Sequence, residues 1–228
     1  MGHSNFWCLS HPDSTRRLAG WTDEVDTEQI ICPLTRDHMR GGKRITDLSV
    51  TLPRYRVQDF VWTWGSECLI QDRVLELFRE NRFSGFEVKP VRARYRRAGE
   101  GEPPRLWELA VTGWGGVAPA LSGIKLVEEC RSCGYLGYSS WTNAGGLLDP
   151  SEWDGSDIFM VWPLPRYIFV TDRVAQVARR HKLSGILLRR SKSLVFPESV
   201  IPGLSPGRLS YWMPAERARE LGAPLGIE

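Results

Sequence analysis

The chain matches itself at an offset of 100 residues. Residues 60–90 fall on residues 160–190 without a gap, and eight of the 31 positions are identical. The identities are Val61, Trp62, Asp72, Arg73, Val74, Arg79, Ser84 and Gly85, against Val161, Trp162, Asp172, Arg173, Val174, Arg179, Ser184 and Gly185. Two copies are too few for a solenoid and predict two related α/β units instead. In each copy an apolar run reads as a short strand. Thr171 stands where it can cap a helix, with Asp172 in the first turn, where its charge suits the helix dipole. Val174, Val177 and Ala178 recur at helical spacing, as do Val74, Leu77 and Phe78. Arg82 and Lys182 close the two helices, and Ser-Gly turns the chain into a further strand. The shared Asp-Arg-Val and Ser-Gly thus read as architecture, a helix start and a turn glycine.

The rest of the chain fits around these units. Residues 106–116 and 122–130 read as strands, and the second runs into Cys130-Arg-Ser-Cys133-Gly134. The expected fold is α+β, with two strand-helix-strand units joined by strands that carry a zinc-knuckle-like turn. We read residues 1–228 as one two-lobed domain. Its repeat units span about 59–97 and 157–190, its knuckle segments 30–42 and 128–140. An irregular Pro- and Gly-rich tail covers 193–228, with a short helix near 215–221.

Cys-x-x-Cys-Gly is half of a tetrahedral zinc site, because zinc takes four thiolate or imidazole ligands and the glycine lets the chain turn around the sulfurs. Cys130 and Cys133 supply two ligands. The partner half is "CPLTRDH", in which Cys32 is followed by Pro33, and Thr35 stands where a second cysteine would be. His38, six residues after Cys32, reaches the metal from a longer loop, and Cys8 is the alternative fourth ligand. Cys68 lies in an apolar run and reads as a small buried hydrophobe. Three readings stay open: a structural zinc, a degenerate site without metal, and a redox pair. The last is disfavoured because the motif does not open a helix. A structural zinc with four protein ligands implies no hydrolase.

Other chemistry is hard to find. There is no phosphate loop, no His-Glu-x-x-His and no Gly-x-Ser-x-Gly. The acidic stretch 149–157 reads as a polar loop. The expectation is a binding protein and not an enzyme. A net charge of +3 makes nucleic acid an unfavoured partner and argues against a strongly acidic mimic. No run of about 18 apolar residues offers a membrane span, and the N-terminal residues show no signal-peptide core. A cytoplasmic location, with reduced cysteines, is therefore expected.

The Cys-Pro segment, the "CRSCG" turn and "DIFMVWPLPRYIFVTDRVAQVARRHKLSGILL" together resemble the double-CXXCG motif immunity proteins of myxobacteria. The resemblance runs from about residue 30 to residue 193. It implies an immunity protein of interbacterial competition and kin recognition, which neutralises a cognate toxin encoded by a neighbouring gene. It also implies one metal site shared by two motifs, to which Cys32, Cys130, Cys133 and Gly134 correspond. The first motif departs from the family form at Thr35 and Arg36. Such a protein needs an interface with aromatic anchors. Of the ten tryptophans, Trp62, Trp64, Trp114, Trp141 and Trp153 are the candidates for contacts with the partner. The runner-up function is a zinc-knuckle nucleic-acid-binding or regulatory protein.

Overall fold

Fifteen short strands and three helices form an α+β fold in the computed structural model, which describes residues 5–12, 18–53, 56–97, 101–195 and 204–228. In chain order the strands are β1 (Phe6–Ser10), β2 (Gly20–Trp21), β3 (Thr27–Ile30), β4 (Arg40–Arg44), β5 (Ser49–Leu52), β6 (Phe60–Trp62), β7 (Cys68–Gln71), β8 (Phe86–Tyr95), β9 (Leu106–Val111), β10 (Gly113–Val117), β11 (Leu126–Cys130), β12 (Tyr135–Tyr138), β13 (Ile158–Trp162), β14 (Ile168–Thr171) and β15 (Leu187–Arg190). The helices are α1 (Asp72–Glu80), α2 (Asp172–Arg180) and α3 (Ala215–Gly222). A first sheet has the order β2-β5-β8-β9-β7-β6, and a second the order β10-β13-β14-β1-β15. Two hairpins, β3-β4 and β11-β12, stand apart from both. Among the described residues no helix is long and apolar enough to cross a membrane.

Each lobe holds a hairpin, a helix and a strand, so the unit contains one strand more than the expected strand-helix-strand. The helices keep the offset of 100, and so do the turns after them. Arg82 and Lys182 adopt φ of 52° and 51°, and Gly85 and Gly185 of 85° and 84°. The hairpins do not keep it. Phe60 faces Ile70, whereas Ile158 faces Val170. The second hairpin is therefore two residues longer at its tip, and the counterpart of Trp62 is Met160. The matched pairs Val61/Val161 and Trp62/Trp162 are coincidences of a gapless alignment.

The strand β1 was not part of the expected unit, yet it completes the second lobe. It lies between β14 and β15, with Trp7 opposite Val170 and Arg190. In the first lobe β9 takes the same place, with Trp107 opposite Ile70. The likeness extends to side chains. Trp7 Nε1 donates to Asp172 Oδ1 at 2.9 Å, and Trp107 Nε1 to Asp72 Oδ1 at 2.6 Å. The shared aspartates at the helix starts thus accept an indole N–H as well as suiting the dipole. Thr171 does not cap α2 through its side chain; its hydroxyl donates to Asp157 Oδ1 instead.

The lobes are joined by an exchange of polar contacts. Asp59 accepts hydrogen bonds from the backbone N–H and hydroxyl of Ser184 (2.8 and 2.7 Å) and from Arg73 (2.9 Å). Asp157 in turn accepts from the backbone N–H of Ser84 (3.2 Å) and from Arg173 (3.0 Å). Arg73 also donates to the His181 carbonyl, and Arg173 to that of Asn81. The turn glycines sit in this joint. A Cβ on Gly85 would lie 2.0 Å from the Ile158 carbonyl oxygen, and one on Gly185 2.1 Å from that of Phe60. Only glycine permits so close an approach at positive φ. Asp-Arg and Ser-Gly are therefore architectural, as expected, but the architecture lies between the lobes.

One apolar cluster spans this joint. It gathers Ile70, Val74 and Leu109 from the first lobe with Met160, Val170 and Val174 from the second. Leu209, Met213, Ala218 and Ile227 belong to the same cluster. The C-terminal segment is thus part of the core and not an irregular tail; its Pro- and Gly-rich path hides four buried anchors. Residues 196–203 of that segment lie outside the described residues.

Candidate metal centre

Both sides of the centre are built from turns at the ends of hairpins. Between β3 and β4 the chain carries Cys32 and then a single 3-10 turn, Arg36–His38. Thr35, where the second cysteine of a Cys-x-x-Cys pair would stand, caps this turn: its Oγ1 accepts from Asp37 N at 3.2 Å. A capped turn aims His38 inward, and His38 is only 6% exposed. Cys130 ends β11, and Cys133 and Gly134 lie in the turn before β12. Gly134 has φ of 65°, the left-handed conformation that lets the chain reverse there.

The four side chains converge. One potential ligand atom each from Cys32, His38, Cys130 and Cys133 falls within 4.8 Å of the others. Cys32 Sγ and Cys130 Sγ are 3.8 Å apart, and Cys133 Sγ lies 3.7 Å from His38 Nδ1. A disulfide would need about 2.05 Å between sulfurs. Zinc–sulfur bonds of about 2.3 Å in a tetrahedron put the sulfurs about 3.8 Å apart. All five cysteines are free. The Cys3His set is compatible with a structural zinc site: it fits the metal's geometry and its preference for sulfur and nitrogen.

The surroundings prepare the ligands. His38 Nε2 contacts Glu128 Oε1 at 2.8 Å, leaving Nδ1 to face the sulfurs. A carboxylate behind a histidine fixes ring orientation and raises its basicity as a ligand. Tyr135 stacks on the same ring, with centroids 4.2 Å apart and planes 6° from parallel. Leu34 N donates to Cys32 Sγ at 3.4 Å, and Arg40 Nη1 approaches Cys133 Sγ at 3.6 Å. Arg40 also donates to the Cys133 carbonyl, tying β4 to the opposite turn.

These contacts set the charges. Desolvation pushes the Cys32 thiol up, but hydrogen bonds from the Leu34 and Thr35 backbone and contacts with His38 and Cys133 outweigh it, and its pKa falls to about 6. For Cys133, desolvation is again outweighed, here by Arg40 and the Tyr135 backbone N–H, and the thiol is lowered. Glu128 dominates at His38 and, with the three sulfurs, raises it to about 9 against desolvation. The negative charge that holds a proton on this imidazole also favours a divalent cation, so metal and proton compete for the site.

Cys8 does not belong to the centre. It is 1% exposed within β1, packed with Phe159 and Phe169, and burial pushes its thiol to about 12. Cys68 is buried in β7, as expected for a small hydrophobe. The tryptophans depart from expectation. Trp62, Trp114 and Trp141 are buried, with Trp62 Nε1 donating to the Gly185 carbonyl. Trp153 is half-buried against Phe6 and Phe159. Of the five candidates only Trp64, 64% exposed, is free to meet a partner. Trp62 and Trp114 lie on strands covered on both faces, which bury their aromatics wherever they point, and spacing alone does not reveal that. The stretch 149–157 is a structural loop: Asp154 accepts from Trp114 N and Arg217, and Asp149 from Ser151.

Four exposed apolar side chains lie beside the centre instead, and sequence reasoning missed them. Ile31 and Leu34 flank Cys32, Met39 follows His38, and Val127 precedes Glu128; all are more than 60% exposed. The signal was present as apolar residues beside the candidate ligands and Glu128, in a short loop and on a strand of a hairpin that stands apart from both sheets. No family model matches the chain, and no curated protein matches it.

Proposed function

We propose that this chain is a binding protein of the immunity type, which neutralises a bacterial toxin by covering it, with a structural zinc holding part of the contact surface. One observation carries the reading: Ile31, Leu34, Met39 and Val127 stand exposed immediately beside the metal ligands and the carboxylate behind His38. Exposed apolar side chains on a rigid turn favour a protein partner. All four coordination positions would be filled by protein, leaving no place for a substrate. The identity of the partner rests on the resemblance to double-CXXCG immunity proteins, and with it the cytoplasmic setting. Co-expression with the product of the adjacent gene is the test. Rescue of growth, lost in a Leu34→Asp/Met39→Asp variant, supports the proposal; no rescue by the intact protein sinks it.

A second reading, nucleic-acid binding, is favoured by one feature. The segment from α2 to the turn after β15 carries exposed Arg180, Lys182 and Lys192, and no acidic residue occurs between Arg173 and Lys192. Binding to DNA or RNA that weakens steeply with salt would support it. No binding at low salt would remove it.

A further inference from the structure

A groove of about 750 Å³ opens where β4, which follows His38, faces β9, the tip of the second hairpin and residues 205–215. Its volume is within the range of about 300–1,000 Å³ typical of ligand sites. Two carboxylates line it, and both are engaged. Glu108 pairs with Arg44, and Glu67 accepts from the Trp21 indole and the Thr63 hydroxyl. Three exposed cations line it as well: Lys43 on β4, Lys89 on β8 and Arg166 ahead of β14. Arg166 lies over the Trp212 ring, 5.6 Å from its centroid, a contact that leaves its charge unneutralised. Met160 and Ile168 form its buried floor, and the half-buried Trp212 ring lines it beside Arg166.

We infer that this groove takes an acidic, extended peptide segment of a partner protein. The three cations stand on three different elements, so they suit carboxylates spaced along a chain better than one compact anion. The Trp212 ring beside Arg166 suits an apolar side chain of the same segment. The lining carries more cations than carboxylates, and an excess of positive charge in a partly enclosed groove raises the local concentration of such a segment and fixes its register. The inference rests on the reading of this chain as a protein-binding protein, but not on the partner being a toxin.

The test uses the full chain and a short fluorescein-labelled peptide alternating glutamate with glycine and leucine. A lysine-for-glutamate peptide and a short single-stranded DNA serve as controls. Saturable anisotropy is expected with the acidic peptide alone. Lys43→Glu/Lys89→Glu/Arg166→Glu should weaken it by about tenfold or more. Lys43→Glu alone, on an exposed hairpin, should weaken it measurably without changing the melting temperature. The inference is overturned if the groove variants bind as the parent does. It is also overturned if binding is lost only on reversing Arg180 and Lys182 at the end of α2 and in the turn after it, or if the DNA binds equally well. Because the readout is a peptide, failure of toxin rescue leaves this result standing, and the reverse also holds.

Discussion

Glu128 and His38, ninety positions apart in sequence, meet at 2.8 Å through Oε1 and Nε2 and so decide which imidazole nitrogen faces the sulfurs. Glu128→Gln keeps the shape but removes the charge. It should weaken zinc binding by about 10–100-fold, as loss of a carboxylate behind a ligating histidine does. Competition with a chromophoric chelator at neutral pH measures this. An unchanged affinity would mean that Glu128 is only a surface neighbour.

Metal content separates the cysteines. The purified protein should carry about one zinc per chain. Cys130→Ser should release it and lower the melting temperature, since metal that binds only the folded state stabilises it. Cys8→Ala should leave zinc content intact. Elemental analysis of the three proteins is sufficient, and zinc lost with Cys8 would contradict the site as drawn.

The joint between the lobes titrates. Desolvation of Asp59 is outweighed by the backbone and hydroxyl of Ser184 and by Arg73, so its carboxyl is held below the ordinary value of 3.8. Its folded pKa is therefore below its unfolded one. The stabilisation is complete above about pH 4 and is lost as pH falls through the folded pKa. Asp59→Asn should cost about 2 kcal/mol at neutral pH. The gap from wild type should close in acid. Urea melts at several pH values test the sign, and a gap that widens in acid would refute it.

Tryptophan substitutions should divide by burial. Trp62→Ala should destabilise the protein by about 3–5 kcal/mol, because it empties a core site and orphans the Gly185 carbonyl. Trp64→Ala should change stability by no more than about 0.5 kcal/mol. Denaturant titration distinguishes them, and equal costs would place Trp64 in the core.

What could be read from sequence follows from the range of the interactions. Both helices, their Ser-Gly exits and the ligands Cys32, His38, Cys130 and Cys133 are local patterns or spacings, and each was legible. Thr35 looked like damage to a motif. The structure makes it the cap that delivers His38, a role visible only once the turn exists. The hairpin register was misread because identity at Trp62 and Trp162 concealed a two-residue difference in loop length. The place of β1 depends on ladders to strands some 160 residues away, as with Cys8 opposite Phe169, and nothing in "FWCLS" names those partners. Burial of Trp114 and Trp141 depends likewise on which elements cover them.

The position of β1 has a bearing on synthesis. The first lobe's hairpin, helix and following strands are contiguous from residue 60 to residue 111, so they can assemble while translation continues. β1 leaves the ribosome before any of them. Its neighbours β14 and β15 emerge only some 160 to 180 residues later, and until then an apolar strand with two open edges must wait. The second lobe should therefore close last, and the interval before closure is when this chain is most exposed to pairing with another copy of itself.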